Sequence, residues 1–117
     1  MDFNLISVYT RDQAIEDGVL VDVTIEARPL GYKMQTCITD HLHGKLNEIE
    51  DPEHYKKELS LLLQSAADKV YFALKANKDI SLLEFSYCFF KEENNPTKLW
   101  VCHTPEEGFT IMFPEDY

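Results

Sequence analysis

The chain has 117 residues, of which 44% are hydrophobic, and its 21 acidic and 11 basic side chains give a formal net charge of −10. This length and hydrophobicity exclude a disordered protein and predict one domain, residues 1–117, with a single modest core. No apolar run reaches the roughly 20 residues of a membrane span, and the N-terminus lacks the basic region of a secretory signal. We therefore expect a cytoplasmic protein with no membrane partner.

The first 38 residues carry signals for short elements. Residues 3–8 form a largely apolar run that predicts a short strand or a packed arm. Thr10 is a typical helix N-cap with Gln13 as its capping-box partner, so a short helix is predicted that ends near Gly18. The other expected elements are a buried extended segment at residues 19–21, one helical turn at residues 25–28 beside a cap at Asp22 or Thr24, a turn at Gly31 and an extended segment at residues 32–38.

Two helices are predicted next. Thr39 is an N-cap candidate for a helix that continues to Ile49. Asp51 is a good N-cap and Pro52 suits the first helical position, so a long helix is predicted from there to Asn77. Its apolar stripe is wider than a surface helix needs, so we expect this helix to be covered on more than one side. The residues that widen the stripe are Leu61, Leu63, Phe72 and Leu74.

The last third of the chain predicts a sheet. Apolar and aromatic residues alternate over residues 83–90, and two further strands are expected at residues 99–103 and 109–113. Short turn-forming segments separate the three strands, which is typical of an antiparallel meander. The predicted fold class is therefore α+β, with N-terminal short helices and one long helix packed on a C-terminal three-stranded antiparallel sheet. Residues 114–117 are expected to be a tail.

Several residue types that can bind metals lie close together before the long helix, namely Cys37, His41 and His43. On a helix, Cys37 and His41 would share a face, but His41 and His43 are two residues apart and point in different directions. No second Cys/His pair follows, so we predict surface histidines, no metal and no cofactor. The odd number of cysteines, without a secretion signal, predicts free and buried thiols.

Signals for catalysis are weak. Cys102 and His103 are adjacent on a predicted strand and therefore point to opposite faces, so they cannot act as a nucleophile and its base. The four glycines are scattered and form no phosphate-binding loop. The aromatic residues Tyr87, Phe89, Phe90 and Trp100 lie in an acidic region, so they are expected in the core or an interface rather than in a nucleic-acid-stacking surface. We predict no catalytic residue and a protein that is not an enzyme.

The acidic residues flank the long helix rather than lying on it. The formal net charge is −6 for residues 1–51, +1 for residues 52–77 and −5 for residues 78–117. A charge of this sign disfavours direct nucleic-acid binding and suits a partner protein with a basic surface; solubility alone is the alternative explanation. Two acidic pairs in predicted turns, not expected to form one carboxylate dyad, are the candidate binding residues: Glu92, Glu93, Glu106 and Glu107.

One motif resembles a known family. The run YTRDQAIEDGVLVDVT at residues 9–24, with ARPLGY at residues 27–32 and FTIMFPED at residues 109–116, resembles an uncharacterised family of small bacterial, plasmid and phage proteins with a domain of unknown function. The resemblance implies an accessory product of a mobile element and supplies no catalytic residues. Within the motif, Arg11 is expected to pair with Glu16 or Asp17, or to bind a strand.

Together these features predict a non-enzymatic acidic accessory protein of a phage or mobile element that acts by protein–protein binding. The sharper hypothesis is an inhibitor of a host defence nuclease, of the anti-CRISPR or anti-restriction type, whose acidic face occupies the nuclease's basic channel. Two alternatives remain open. One is a small metal-binding or enzymatic protein that uses Cys37, His41 and His43, and the other is a structural homodimer with the aromatic sheet face as its interface.

Overall fold

The computed structural model describes residues 10–91 and 95–117, and it combines helices with one sheet. No helix in these two ranges is long and apolar enough to cross a membrane. The same ranges contain three short 3₁₀ turns, at Arg28–Leu30, Phe89–Lys91 and Pro114–Asp116. The helices and strands, in chain order, are α1 (Arg11–Glu16), β1 (Leu20–Asp22), α2 (Thr24–Ala27), β2 (Thr36–Thr39), α3 (Asp40–Leu46), α4 (Pro52–Lys75), β3 (Leu82–Tyr87), β4 (Thr97–Thr104) and β5 (Gly108–Met112).

The sheet has five strands in the order β1-β2-β5-β4-β3. The predicted α+β class and the C-terminal antiparallel meander of β3, β4 and β5 are confirmed. The prediction of a three-stranded antiparallel sheet is wrong, because β1 and β2 extend the sheet and β2 runs parallel to β5. Strand β1 has three residues and β2 has four, which is too few for an alternating pattern to be recognised. The parallel partner of β2, strand β5, comes much later in the chain. Their pairing is therefore a tertiary contact that no local signal reveals.

The core lies between helix α4 and one face of the sheet. Fully buried residues on three adjacent strands, Ile38, Val101 and Ile111, point toward the helices. At 25–30 cal/mol per Å² of apolar surface, each contributes about 1.5–3 kcal/mol of burial free energy. The buried residues of α4 that meet this face at helical spacing are Leu59, Leu62, Leu63, Ala66, Val70 and Ala73.

The long helix is covered on one side, so the expectation of cover on more than one side is wrong. Leu63 is buried as expected, but Leu61, Phe72 and Leu74 are 43%, 66% and 54% exposed. The fold places the sheet and the short helices against a single face of α4, so its wide apolar stripe extends beyond the core. Tyr71, which neighbours the exposed part of this stripe, is 53% exposed.

The caps predicted at Thr10, Thr39 and Asp51 are confirmed, whereas the cap predicted at Asp22 or Thr24 is wrong, because the N-cap of α2 is Val23, which makes no side-chain cap hydrogen bond. Thr10 and Gln13 form the reciprocal capping box, and the Thr39 hydroxyl accepts from the backbone N–H of Leu42. The Asp51 carboxylate accepts from the backbone N–H of Glu53 at 3.0 Å. Each cap satisfies a backbone donor that the first helical turn leaves without an intrahelical partner.

Two predicted ends differ from the structure. The helix that begins after Thr39 stops at Leu46 rather than Ile49, because Asn47 forms its C-cap. Strand β3 stops at Tyr87 instead of continuing to residue 90, where Phe90 has a left-handed φ of 56° that a strand cannot contain. The predicted strand or arm at residues 3–8 lies outside the described residues.

The C-terminal residues are not a free tail. Residues 114–116 form a 3₁₀ turn that places Asp116 beside β2. The carboxylate of Asp116 accepts from the Thr39 hydroxyl at 2.8 Å and from the backbone N–H of Phe113 at 3.2 Å. Its other oxygen lies 2.9 Å from Nδ1 of His41. These contacts close the end of the sheet at which β2 leads into α3.

A buried carboxylate that the sequence did not reveal lies near the end of β3. Glu58 of α4 is 8% exposed, and the hydroxyl of Tyr87 donates a short hydrogen bond to it. Burial and the bond to Glu58 raise the pKa of Tyr87 far above its ordinary value, so the hydroxyl stays protonated as a donor. The backbone N–H of Phe90 donates to the same carboxylate at 3.4 Å. The pair therefore links α4 to the segment that leaves β3.

Candidate functional site

Two of the four predicted binding residues lie in the described part of the chain. Glu106 and Glu107 form the exposed turn between β4 and β5. Glu92 and Glu93 lie outside the described residues, so their position relative to this turn stays a prediction.

The structure brings Glu106 and Glu107 next to the motif at the start of the chain. With Asp12 and Arg11 they line a cleft of about 550 Å³ at one end of the sheet. A neighbouring cleft of about 540 Å³ shares three lining residues with the first, Lys33, Met34 and Gln35. We call the carboxylates that line these two clefts the acidic end of the sheet: Asp12, Asp22, Glu26, Glu106 and Glu107.

Arg11 fixes helix α1 to the sheet at this position. Its Nε donates to the side-chain oxygen of Gln35 at 2.7 Å, and its Nη1 donates to the Thr110 hydroxyl at 2.7 Å. Its Nη2 donates a short hydrogen bond to the backbone oxygen of Phe109. Arg11 was expected either to pair with Glu16 or Asp17 or to bind a strand, and it binds strand β5. The guanidinium therefore connects α1 with both β5 and the segment before β2, and Asp12 takes its place beside Glu106 and Glu107.

Asp22 organises the second cleft. Its carboxylate accepts from the backbone N–H of Thr24 at 2.8 Å and from the amide of Gln35 at 3.2 Å. The Thr24 hydroxyl in turn accepts from the backbone N–H of Thr36 at 3.0 Å. Partial burial raises the pKa of Asp22, but the hydrogen bonds from Thr24 and Gln35, with the charge of Arg11, outweigh this effect and lower it. Asp22 is therefore ionised at neutral pH.

Sequence reasoning missed Gln35, which bridges the two clefts. Its side-chain oxygen accepts from Arg11 while its amide donates to Asp22. Its backbone oxygen accepts from the N–H of Phe109 at 2.9 Å. Gln35 lies in a segment without a pattern, and its partners are distant in sequence, so no local signal identifies it.

Gly108 is required for the close approach of these chains. Its φ is +113°, and a Cβ atom built on it would lie 2.1 Å from the backbone oxygen of Gln35. Only a residue without a side chain fits such a conformation and such a contact. The turn that carries Glu106 and Glu107 is thereby held against the segment that carries Lys33 and Gln35.

The residues proposed for a metal site have separate surroundings. Cys37 is fully buried in β2, and burial raises the pKa of its thiol. His41 lies beside Asp116 and the Phe113 ring, whereas His43 lies 3.2 Å from the amide nitrogen of Asn47. Within residues 10–91 and 95–117, no three His, Cys, Asp or Glu side chains are grouped so as to hold a metal ion. The geometry gives the metal alternative no support.

The predicted thiols and aromatic residues are divided between the core and the surface. The three cysteines are thiols rather than members of a disulfide, but only Cys37 is buried, and Cys88 and Cys102 are half-buried. Tyr87 and Phe89 are buried in the core, as expected. Tyr87 lies on the face of the sheet that α4 covers, and Phe89 packs against it from the turn after β3, with ring centroids 5.0 Å apart, so these two rings are closed to a second copy of the chain. Phe90 and Trp100 are half-buried.

The fold and this site define a two-layer α+β protein with an acidic end to its sheet. The sequence matches no protein-family model, and no curated protein or solved structure shows significant similarity to it. The functional assignment therefore depends on the geometry and charge of the chain itself.

Proposed function

We propose that this chain is a non-enzymatic protein that acts by binding a basic surface of another protein through the acidic end of its sheet. The observation that carries the proposal is the convergence of five carboxylates from separate segments on two adjoining clefts. Three cations line the same clefts, and one of them, Arg11, has its guanidinium engaged by the sheet. The clefts thus present more negative than positive charge.

The charge of the whole chain also supports binding to a basic partner. Of the 18 acidic residues in the described ranges, 16 are exposed. Ion pairs join Lys45 to Glu48 at 3.5 Å and Lys98 to Glu84 at 3.8 Å. Pairing with lysine therefore neutralises only part of the negative surface charge. Exposed pairs of this type contribute at most about 1 kcal/mol each. The remaining field is available to steer a basic partner.

We propose further that the partner is a nuclease and that the chain is an inhibitor from a phage or mobile element. A nuclease channel must be basic to bind the phosphate backbone, so it is a surface that an acidic domain can occupy in competition with DNA. Support for this sharper form comes from the small size, the net charge of −10 and the resemblance of residues 9–24 to mobile-element proteins.

The test is a DNA-cleavage assay with purified CRISPR effector and restriction nucleases, with the full chain added at increasing concentration. A nuclease that the chain inhibits is then assayed with the triple variant Asp12→Lys, Glu106→Lys, Glu107→Lys. We expect inhibition to fall at least tenfold, because three attractive contacts become repulsive. Inhibition by the parent chain should also weaken as salt rises from about 50 to 300 mM, as screening shortens the Debye length.

The matched control places the same type of charge change elsewhere. Glu50 and Glu115 are exposed and line neither cleft, and Glu115 follows β5 whereas Glu107 precedes it. The control variant Glu50→Lys, Glu53→Lys, Glu115→Lys, in which Glu53 is likewise exposed and outside both clefts, reverses the same number of charges and should inhibit almost as well as the parent chain. Equal loss in both variants would mean that net charge alone acts. Unchanged inhibition by the triple variant, at low and high salt, would refute the electrostatic account.

A further inference from the structure

A second concave surface adjoins the acidic end of the sheet, and it is apolar. This groove has a volume of about 530 Å³ and lies between helix α4 and the segment that follows α2. Val70, Tyr71 and Leu74 line it from the helix, and Tyr32 and Phe109 line it from the other side. We call it the apolar groove. Its volume and its mostly apolar lining fall within the range of small-ligand and side-chain binding sites.

The walls of the apolar groove are fixed by contacts within the protein. The buried hydroxyl of Tyr32 donates to the backbone oxygen of Leu63 at 2.6 Å. The rings of Tyr32 and Phe109 meet edge to face with their centroids 5.4 Å apart. The centroids of the His103 and Phe109 rings lie 4.8 Å apart. A groove held in this way needs little reorganisation before it binds, which lowers the entropic cost of association.

The rim of the groove exposes large apolar side chains to water. Tyr71 is 53% exposed and Leu74 is 54% exposed, although both flank an already apolar cavity. Contiguous apolar surface of this kind on a small domain commonly marks an interaction site. Leu74 belongs to the part of the α4 stripe that the fold leaves uncovered, and Tyr71 neighbours it.

Charge on the rim indicates which kind of segment the groove takes. Asp68 lies on the rim, exposed, and its carboxylate accepts from the Gln64 amide at 2.9 Å. On the opposite side the groove is continuous with the acidic end of the sheet, since Lys33 and Met34 line both. Carboxylates therefore flank the apolar cavity on two sides. Lys33 lies between the two parts, and Lys75 lies over the Tyr71 ring with its Nζ 5.2 Å from the ring centroid, so cations of a ligand are expected to avoid these two positions and to meet Asp68 and the acidic end of the sheet.

We propose that the apolar groove receives a large apolar or aromatic side chain of the basic partner, with lysine or arginine residues beside it that meet Asp68 and the acidic end of the sheet. This inference rests on the proposed function and deepens it. Exposed charge pairs accelerate association but add little affinity. Most of the binding free energy at an interface comes from a few apolar side chains in desolvated pockets. The groove supplies that component next to the acidic surface.

The probe is the acetylated and amidated pentapeptide KKWKK, titrated into the ¹⁵N-labelled full chain and followed by amide chemical shifts. We expect saturable shifts at the groove residues Tyr32, Ala67 and Phe109. The peptides KKAKK, which lacks the aromatic ring, and EEWEE, which reverses the charge, should each bind at least tenfold more weakly, the scale of one interface hot spot.

A pair of variants tests the groove itself. Ala67 lines the groove, so Ala67→Leu should fill it and weaken KKWKK binding at least tenfold. Ala76→Leu places the same side chain at an exposed position outside the groove and should leave binding unchanged. If Ala67→Leu fails to fold, Leu74→Ser at the exposed rim serves instead, because its replacement leaves the core intact.

The outcomes separate this inference from the proposed function. Shifts confined to Asp12, Glu106 and Glu107 would overturn the groove proposal and leave the acidic surface standing. Groove binding of EEWEE equal to that of KKWKK would overturn the basic-partner proposal. Concentration-dependent shifts of the groove residues without peptide would identify a second copy of the chain as the occupant and would also overturn it.

Discussion

Replacing Gly108 by alanine should destabilise the fold severely, because this residue sets how close β5 comes to the segment before β2. The backbone at Gly108 has a φ of +113°, and an added Cβ would lie 2.1 Å from the Gln35 carbonyl oxygen and 3.0 Å from its carbonyl carbon. The atoms in the way are backbone, so no side-chain rotation relieves the contact. The variant must shift the turn that carries Glu106 and Glu107, or break the bond from the Phe109 N–H to Gln35.

The expected magnitude follows from these separate effects. A non-glycine residue at positive φ costs about 1–2 kcal/mol. Steric overpacking costs about 1–3 kcal/mol, and a lost buried backbone hydrogen bond costs about 1 kcal/mol. We therefore expect the free energy of unfolding to fall by about 3–6 kcal/mol for Gly108→Ala, a large fraction of the total for a small domain.

Urea unfolding, followed by circular dichroism and by Trp100 fluorescence, measures this loss, and two other glycines provide matched controls. Gly18 has a φ of +80° but no atom within 4 Å of an added Cβ, so Gly18→Ala should cost only about 1–2 kcal/mol. Gly44 lies within α3 with open space around it, so Gly44→Ala should stabilise the chain by about 0.5–1 kcal/mol. If Gly108→Ala costs no more than Gly18→Ala, the argument from close backbone approach is wrong.

Three further predictions concern the polar contacts of the sheet. Arg11→Lys should lower the free energy of unfolding by about 2–3 kcal/mol, because lysine cannot reproduce the fork of hydrogen bonds to β5; exposed Arg28→Lys is the control, and equal effects in urea titrations would contradict the role assigned to Arg11. The lowered pKa of Asp22 means that its contribution to stability is present above the ordinary aspartate pKa of about 3.9 and is lost as the pH falls through the folded-state value. Asp22→Asn should therefore flatten the acid limb of the stability–pH curve, and a curve parallel to that of the parent chain would refute this linkage. Asp116→Ala should cost about 1–2 kcal/mol through lost contact with Thr39, with exposed Glu115→Ala as the near-neutral comparison; equal midpoints for both would show that the C-terminal turn contributes nothing to stability.

The elements that the sequence predicted correctly are those whose stabilising interactions join residues close together in the chain. The capping box of Thr10 and Gln13, and the caps at Thr39 and Asp51, depend on hydrogen bonds within a few residues, so the sequence reveals them directly. The strands β3, β4 and β5 follow one another with short connections and were predictable for the same reason. The candidate site was predictable in part, since Glu106 and Glu107 stand in a turn that composition indicates.

The partners of that turn were not predictable. Asp12, Lys33 and Gln35 reach Glu106 and Glu107 only because β2 pairs in parallel with β5, and that pairing joins residues far apart in the chain. The apolar groove has the same origin, since α4 and Phe109 approach one another only through packing.

The sequence by itself determined the helix caps, the long amphipathic helix, the C-terminal meander and the sign of the charge, because each depends on neighbouring residues or on composition. Only the tertiary structure decided the addition of β1 and β2 to the sheet, the single covered face of α4 and the placement of the chain's carboxylates around two clefts and a groove. The physical reason is that burial and strand pairing depend on distant residues. Their free energy is gained only when those residues meet in the folded chain.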